Sequence, residues 1–419
     1  MALAFIGAAS VLHGLAPPAQ DRGDHKPSLR EMRQEKLPAS IEALDIAPGS
    51  GLAAVGLSDR RVRVWRLDSG EIIHEFTFAE PETDPRQKLE HDVEPLRVRF
   101  APDGKTLAVS YLSRINLYTI GSWREVQSLG VDGEDAERPR PFPQLGRRPP
   151  PGDEKADNPG PTLNQIMRDW ARLQMQGDGR TRITDFRFAA DGSFVLVGYC
   201  RGGCYDNVSG NRLGAFPSGN DPVRLWDVRS GRLVWEHVPD REGVIERVVP
   251  SPDGRWFAAA DKQPGRCRIQ LLDLKSGQTV YSLAKIGFPL ASPSLLFTPD
   301  SHYLISFRAE EGTMKVRPWM HLAKYEASNG EVAAEFSGRY EVRDADLSPD
   351  GRWLATTTWR GLRFQIWDMH TLGPVMTKAP KGLTWSGPPV DRIRFSPDGR
   401  RLIVASNSRG MLAVFEFEP

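Results

Sequence analysis

One short turn recurs along the chain at near-constant spacing, and it limits the fold more than any other feature. Its copies are Ala101-Pro102-Asp103-Gly104, Ala190-Asp191-Gly192, Ser251-Pro252-Asp253-Gly254, Thr298-Pro299-Asp300-Ser301, Ser348-Pro349-Asp350-Gly351 and Ser396-Pro397-Asp398-Gly399. A degenerate copy, Ala47-Pro48-Gly49-Ser50-Gly51, precedes them and brings the number to seven. Proline presets φ at the first turn position, aspartate can bond its own backbone, and glycine supplies a positive φ. The residues before each turn alternate as strands do, as in Leu96-Arg97-Val98-Arg99-Phe100 and Asp391-Arg392-Ile393-Arg394-Phe395. Dense apolar strands follow it, as in Thr106-Leu107-Ala108-Val109 and Arg401-Leu402-Ile403-Val404.

A third strand comes next in each unit, then a second hairpin. The third strands include Val62-Arg63-Val64-Trp65, Val223-Arg224-Leu225-Trp226-Asp227, Ile269-Gln270-Leu271-Leu272-Asp273 and Phe364-Gln365-Ile366-Trp367-Asp368. The hairpins are Asp68-Ser69-Gly70, Asp227-Val228-Arg229-Ser230-Gly231 and Asp273-Leu274-Lys275-Ser276-Gly277. A short fourth strand such as Glu71 to Phe76 closes the unit. Four antiparallel strands repeated seven times predict an all-β chain, a seven-bladed β-propeller. The last three turn-to-turn spacings are 47, 50 and 48 residues. The earlier ones are longer, which predicts insertions at about 130–182 and 201–222. A propeller needs a large apolar core and many turns, and 39% hydrophobic residues with 39 glycines and 34 prolines supply both.

This pattern resembles the WD40 repeat family, in the form where Ser-Pro-Asp-Gly is prominent. The resemblance runs over roughly residues 40 to 419. Trp226-Asp227 and Trp367-Asp368 match the family's terminal dipeptide, with Leu272-Asp273 and Trp65-Arg66 partial matches. The blade residues expected to be structural are Trp65, Asp103, Gly104, Trp226, Asp227, Asp253, Gly254, Asp273, Asp350, Gly351, Trp367, Asp368, Asp398 and Gly399. No Gly-His dipeptide opens the repeats, so the histidine hydrogen-bond network of that family is not expected here. A complete repeat fold, no catalytic constellation and one loop-decorated face together point to a non-catalytic interaction scaffold.

The last repeat ends with its third strand at Phe417, so a fourth must come from elsewhere. Residues 30 to 37 are the expected donor, and residues 28 to 419 are read as one propeller. Ser28-Leu29-Arg30-Glu31 also reads as a helix capping box, but pairing a whole strand edge favours the strand. Connections in such a ring alternate between two faces. The Pro-Asp-Gly and Ser-Gly turns share one, whereas both insertions and the long connection at 79–95 share the other. Long loops on a rigid scaffold carry specificity, so the face over blades one to three is the expected protein-docking surface. The large insertion opens Pro-rich and charged, with Arg147 and Arg148. It continues from a capping box at Thr162 into a predicted helix. There Ile166, Met167, Arg168, Trp170 and Arg172 are the candidate partner-binding residues.

Net charge is +1, from 55 basic and 54 acidic residues, so no nucleic-acid partner is expected. No apolar run is long enough for a membrane span. No nucleophile elbow, phosphate loop, dinucleotide loop or metal-spaced histidine pair is present, so no cofactor or metal and no catalytic residue is assigned. The alternative to a monomeric protein-binding scaffold is a small-ligand or catalytic site in the central channel, assembled from single residues on several blades. Residues 1–27 form a flexible start or an export signal, from the apolar stretch Leu3 to Leu12. Export to an envelope compartment is favoured over a cytoplasmic location. In an oxidising compartment Cys200 and Cys204 could form a disulfide.

Overall fold

The computed structural model describes residues 26–78, 96–111, 114–130, 181–201, 222–239, 244–263, 266–286, 294–310, 319–338, 342, 344–357, 363–380, 390–406 and 410–419. Among them, twenty-eight strands, numbered β1 to β28 in chain order, form seven four-stranded antiparallel sheets. Six sheets are meanders of consecutive strands. The innermost strands of blades one to seven are β2 (Ile41–Ile46), β6 (Arg97–Phe100), β10 (Thr181–Phe188), β14 (Val244–Pro250), β18 (Ser294–Phe297), β22 (Ala345–Leu347) and β26 (Arg392–Phe395). No helix occurs among the described residues.

The seventh sheet is closed by the chain's own beginning. β1 (Ser28–Lys36) pairs antiparallel with β28 (Met411–Glu418), from Ser28 opposite Glu418 to Lys36 opposite Met411. The helical alternative therefore loses, because a helix over this segment would leave the outer edge of β28 unpaired. Leu29 is buried, while Met32 is half-exposed on the outer side.

Apolar density follows layer by layer. The second strand of blade one, Leu52–Leu57, is buried at every position, because a neighbouring blade covers each face of the sheet. The outer strand Ile72–Thr77 is only partly covered and accordingly mixes polar with apolar residues. Seven hydrophobic clusters of described residues result, one for each pair of adjacent blades. Trp353 and Trp367 are fully buried in the two clusters flanking blade six. Burial of each such side chain removes apolar area worth about 25 cal/mol per Å² from water.

The turns owe their recurrence to one hydroxyl. Ser251 Oγ donates to Asp253 Oδ1 (2.6 Å) and accepts the Trp256 N–H (2.9 Å). Ser348, with Asp350 and Trp353, repeats this at 2.5 and 2.9 Å, and Thr298, with Asp300 and Tyr303, at 2.5 and 3.0 Å. Ser396, Asp398 and Arg401 make the same arrangement. Asp103 Oδ1 accepts the Lys105 N–H. The Trp-Asp aspartates serve the second turn. Asp227 Oδ1 accepts both the N–H and the hydroxyl of Ser230, and Asp273 does the same with Ser276, all at 2.7 Å. Asp368 Oδ1 accepts the His370 N–H.

Candidate functional site: the central channel

The innermost strands run toward the Pro-Asp-Gly turns, and their polar faces converge on the axis of the ring. Counted back from the turn proline, the residues three positions upstream are Asp45, Arg99, Arg187 (before Ala190), Val249, Leu296, Asp346 and Arg394. Those five positions upstream are Ala43, Arg97, Asp185, Arg247, Ser294, Asp344 and Arg392. The channel holds a cavity of about 160 Å³, which all seven residues of the first ring line together with Arg97, Arg247, Asp344 and Arg392.

Carboxylates at the axis join one blade to the next. Glu42 Oε2 accepts the Leu96 N–H (2.9 Å), and Asp45 Oδ2 accepts the Phe100 N–H (2.7 Å). Asp185 Oδ2 accepts the Val248 N–H (3.3 Å). Asp344 Oδ2 accepts the Ile393 N–H (3.1 Å), and Asp346 Oδ2 accepts the Phe395 N–H (2.7 Å). The Arg392 guanidinium reaches the Glu42 carbonyl of blade one at 3.0 Å. An innermost strand has no inner neighbour, so its N–H groups need such partners when desolvated.

The charges are not spread evenly. Around blades six, seven and one, Arg394 Nη1 donates to Asp344 at 2.6 Å. Burial opposes ionisation of Asp344, yet Arg394 and Arg392 outweigh it and hold its carboxyl below the usual range. Burial lowers the Arg394 pKa, but Asp344 and Asp346 more than offset that and raise it. Burial dominates at Asp346, whose carboxyl is pushed up to about 6.

Around blades two to four, Asp185 is completely buried, and the charges of Arg187, Arg247, Arg99 and Arg97 all act on it. Together they overcome the cost of its burial and hold its carboxyl below the usual range. None of these arginines makes a close pair with it: Arg99 Nη2 lies 3.6 Å from Oδ1 and Arg187 Nε 3.8 Å from Oδ2. Burial, with Arg187 adding to it, pushes the Arg99 guanidinium down to about 9.

This constellation was not picked out from the sequence, although its signal was there. The alternation at Arg97 and Arg99, and at Asp391, Arg392 and Arg394, marks the polar face of innermost strands, which a propeller turns toward its axis. The candidate docking residues Arg147, Arg148, Ile166, Met167, Arg168, Trp170 and Arg172 lie outside the described residues. So do Cys204 and the side chain of Cys200. Trp65, Trp226 and Trp367 are buried between blades. No group of three or more potential metal ligands occurs among the described residues. Among the described residues there is likewise no helix long and apolar enough to cross a membrane.

Seven four-stranded blades and a ring closed by the first strand on the last define a seven-bladed β-propeller, a fold that the WD40 family fits. No family model matches it. A stretch of 95 residues is 36% identical to Protein LST8 homolog of Drosophila melanogaster, a WD40 protein, covering 22% of this chain and 30% of that protein. The match thus spans less than a third of that relative's length.

Proposed function

We propose that the protein is a non-catalytic scaffold that docks a protein partner on the loop-bearing face over blades one to three. The observation that carries this reading is an asymmetry in strand connectivity. The turns within hairpins on one face are short and alike, whereas the opposite face receives the connections of 19, 50 and 21 residues that follow Thr77, Gly130 and Arg201. A rigid ring with length variation confined to one side presents its variable segments together. The likeness to a WD40 protein agrees with a role in protein interaction.

The test is affinity capture with the full chain and with a variant lacking residues 131–180, each partner then verified by reciprocal capture. Loss of the partner from a shortened chain that still melts cooperatively supports the loop-bearing face. A partner held equally by both chains removes it.

A further inference from the structure

The blade two-to-four side of the channel has cations that its own carboxylates do not match. Arg99, Arg187 and Arg247, with Arg97 beside them, share Asp185, and one oxygen of that carboxylate is already taken by the Val248 N–H. From blade six, Asp344 and Asp346 line the same cavity and act on Arg247 and Arg187, but each already accepts a backbone N–H of blade seven. Glu246 belongs to the same strand as Arg247 but does not line the cavity. Asp45 borders Arg99 from blade one, and one of its oxygens is occupied by the Phe100 N–H.

The donors are also incompletely used. Arg99 is 7% exposed; its Nη1 donates to the Val98 carbonyl, while its Nε has no hydrogen-bond partner. Arg187 Nε is buried without one as well, and so is Asp185 Oδ1. A buried guanidinium that lacks acceptors carries a desolvation cost, which an anion in reach would relieve. Planar guanidinium groups suit a compact oxyanion, because each can offer two parallel N–H bonds. The cavity beside them, about 160 Å³, has room for several waters or one small anion. Blade five closes the far side with the apolar Leu295 and Leu296.

We infer that the central channel is a binding site for a small dianion, a phosphate or a short dicarboxylate, gripped by Arg99, Arg187 and Arg247. The site is independent of the docking face, and either can exist without the other. The ligand sits on the axis among blades whose inner strands are stitched by carboxylates, so its binding also bears on the ring's rigidity.

The experiment is calorimetric titration of the full chain with inorganic phosphate, with malonate and with chloride at matched ionic strength. Saturable one-to-one binding of phosphate or malonate, with none of chloride, is expected, and the stronger of the two assigns the ligand's chemistry. R187Q and R247Q, checked for folding by near-ultraviolet circular dichroism, are each expected to weaken binding about tenfold or more. D185N removes the competing carboxylate and is expected to tighten binding. Equal responses to all three anions would overturn the proposal. So would folded R187Q and R247Q proteins that bind as the parent does. Should both variants unfold, D185N decides alone, and unchanged or weaker binding there rejects the site.

Discussion

On one face of the ring, Ser251, Thr298, Ser348 and Ser396 repeat a single pattern, each hydroxyl bridging a turn aspartate and the first N–H of the next strand. On the opposite face the connections between described strands run from two residues, at 112–113, to fifty, at 131–180. Both faces belong to the same blades and the same chain. The difference shows what each blade must conserve to be a blade: the hairpin turns set register, and register decides which residues enter the interblade clusters. The other face only has to return the chain to the next innermost strand. Loop length is inexpensive there, since each doubling costs only about 0.6 kcal/mol in closure entropy.

If this division holds, substitutions in the frame should cost stability, whereas changes on the loop-bearing face should cost binding alone. The largest effect is expected at the axis. Asp344→Ala removes the partner of buried Arg394 and the acceptor of the Ile393 N–H, and should cost about 3–5 kcal/mol in urea unfolding. A loss below about 1 kcal/mol would mean that the interblade carboxylates are dispensable.

Asp346→Asn should act with the opposite sign and should depend on pH. The folded carboxyl titrates at about 6, above its ordinary value of 3.8. The native state therefore holds a proton that the unfolded chain has released, and this group's contribution falls as pH rises from 4 through 6. Asp346→Asn should be the more stable protein at pH 7.5, by about 1–3 kcal/mol, and the gap should close below pH 4. Unfolding curves at both pH values check this, and a gap that does not change with pH refutes it. Asp185 and Asp344, held below the usual range, run the other way: their contribution is complete above the ordinary carboxylate pKa and is lost as pH falls through their depressed values.

Two glycines grade the turn face itself. Gly104 has φ of +64°, and a Cβ there would lie 2.5 Å from the Pro48 carbonyl oxygen of the neighbouring blade. Gly254 has φ of +71° but open space around it. Gly254→Ala should cost about 1 kcal/mol from backbone strain alone, and Gly104→Ala about 2 kcal/mol or more because the blades must also move apart. Equal costs would mean that the close approach of the two blades is unimportant. The smallest effect belongs to the loop-bearing face: removal of residues 131–180 should change unfolding stability by less than about 1 kcal/mol while partner binding is lost. A large destabilisation would make that segment part of the frame and erase the contrast between the faces.

The blades were legible in the sequence because their turns need particular chemistry: Pro102, Asp253 or Gly351 cannot be exchanged freely for other residues. The closing strand was nearly legible. Leu29 lies at positions compatible with a capped helix as well as with a strand, and the decision came from the unpaired edge at the other end of the chain. The strand then starts at Ser28 and ends at Lys36, close to the expected 30–37. The channel was much harder to see. Asp185 and Arg247 are 62 positions apart, and Asp344 and Asp45 almost 300. Each is an ordinary polar residue on an alternating strand, and only the closing of the ring places them around one axis. The segment proposed for docking stood out by length and composition, whereas the residues that would contact a partner depend on that partner's surface.

The pairing of β1 with β28 also orders events in time. Nearly the whole chain separates the two strands, so during synthesis the first must wait while six complete blades and three strands of the seventh emerge. At about 5–20 residues per second that wait lasts tens of seconds. Throughout it the early blades form an open arc with an unsatisfied rim at each end, and the emergence of Met411–Glu418 converts that arc into a ring. A nonsense codon just ahead of Met411 would thus leave the six earlier blades intact but deprive the ring of its latch.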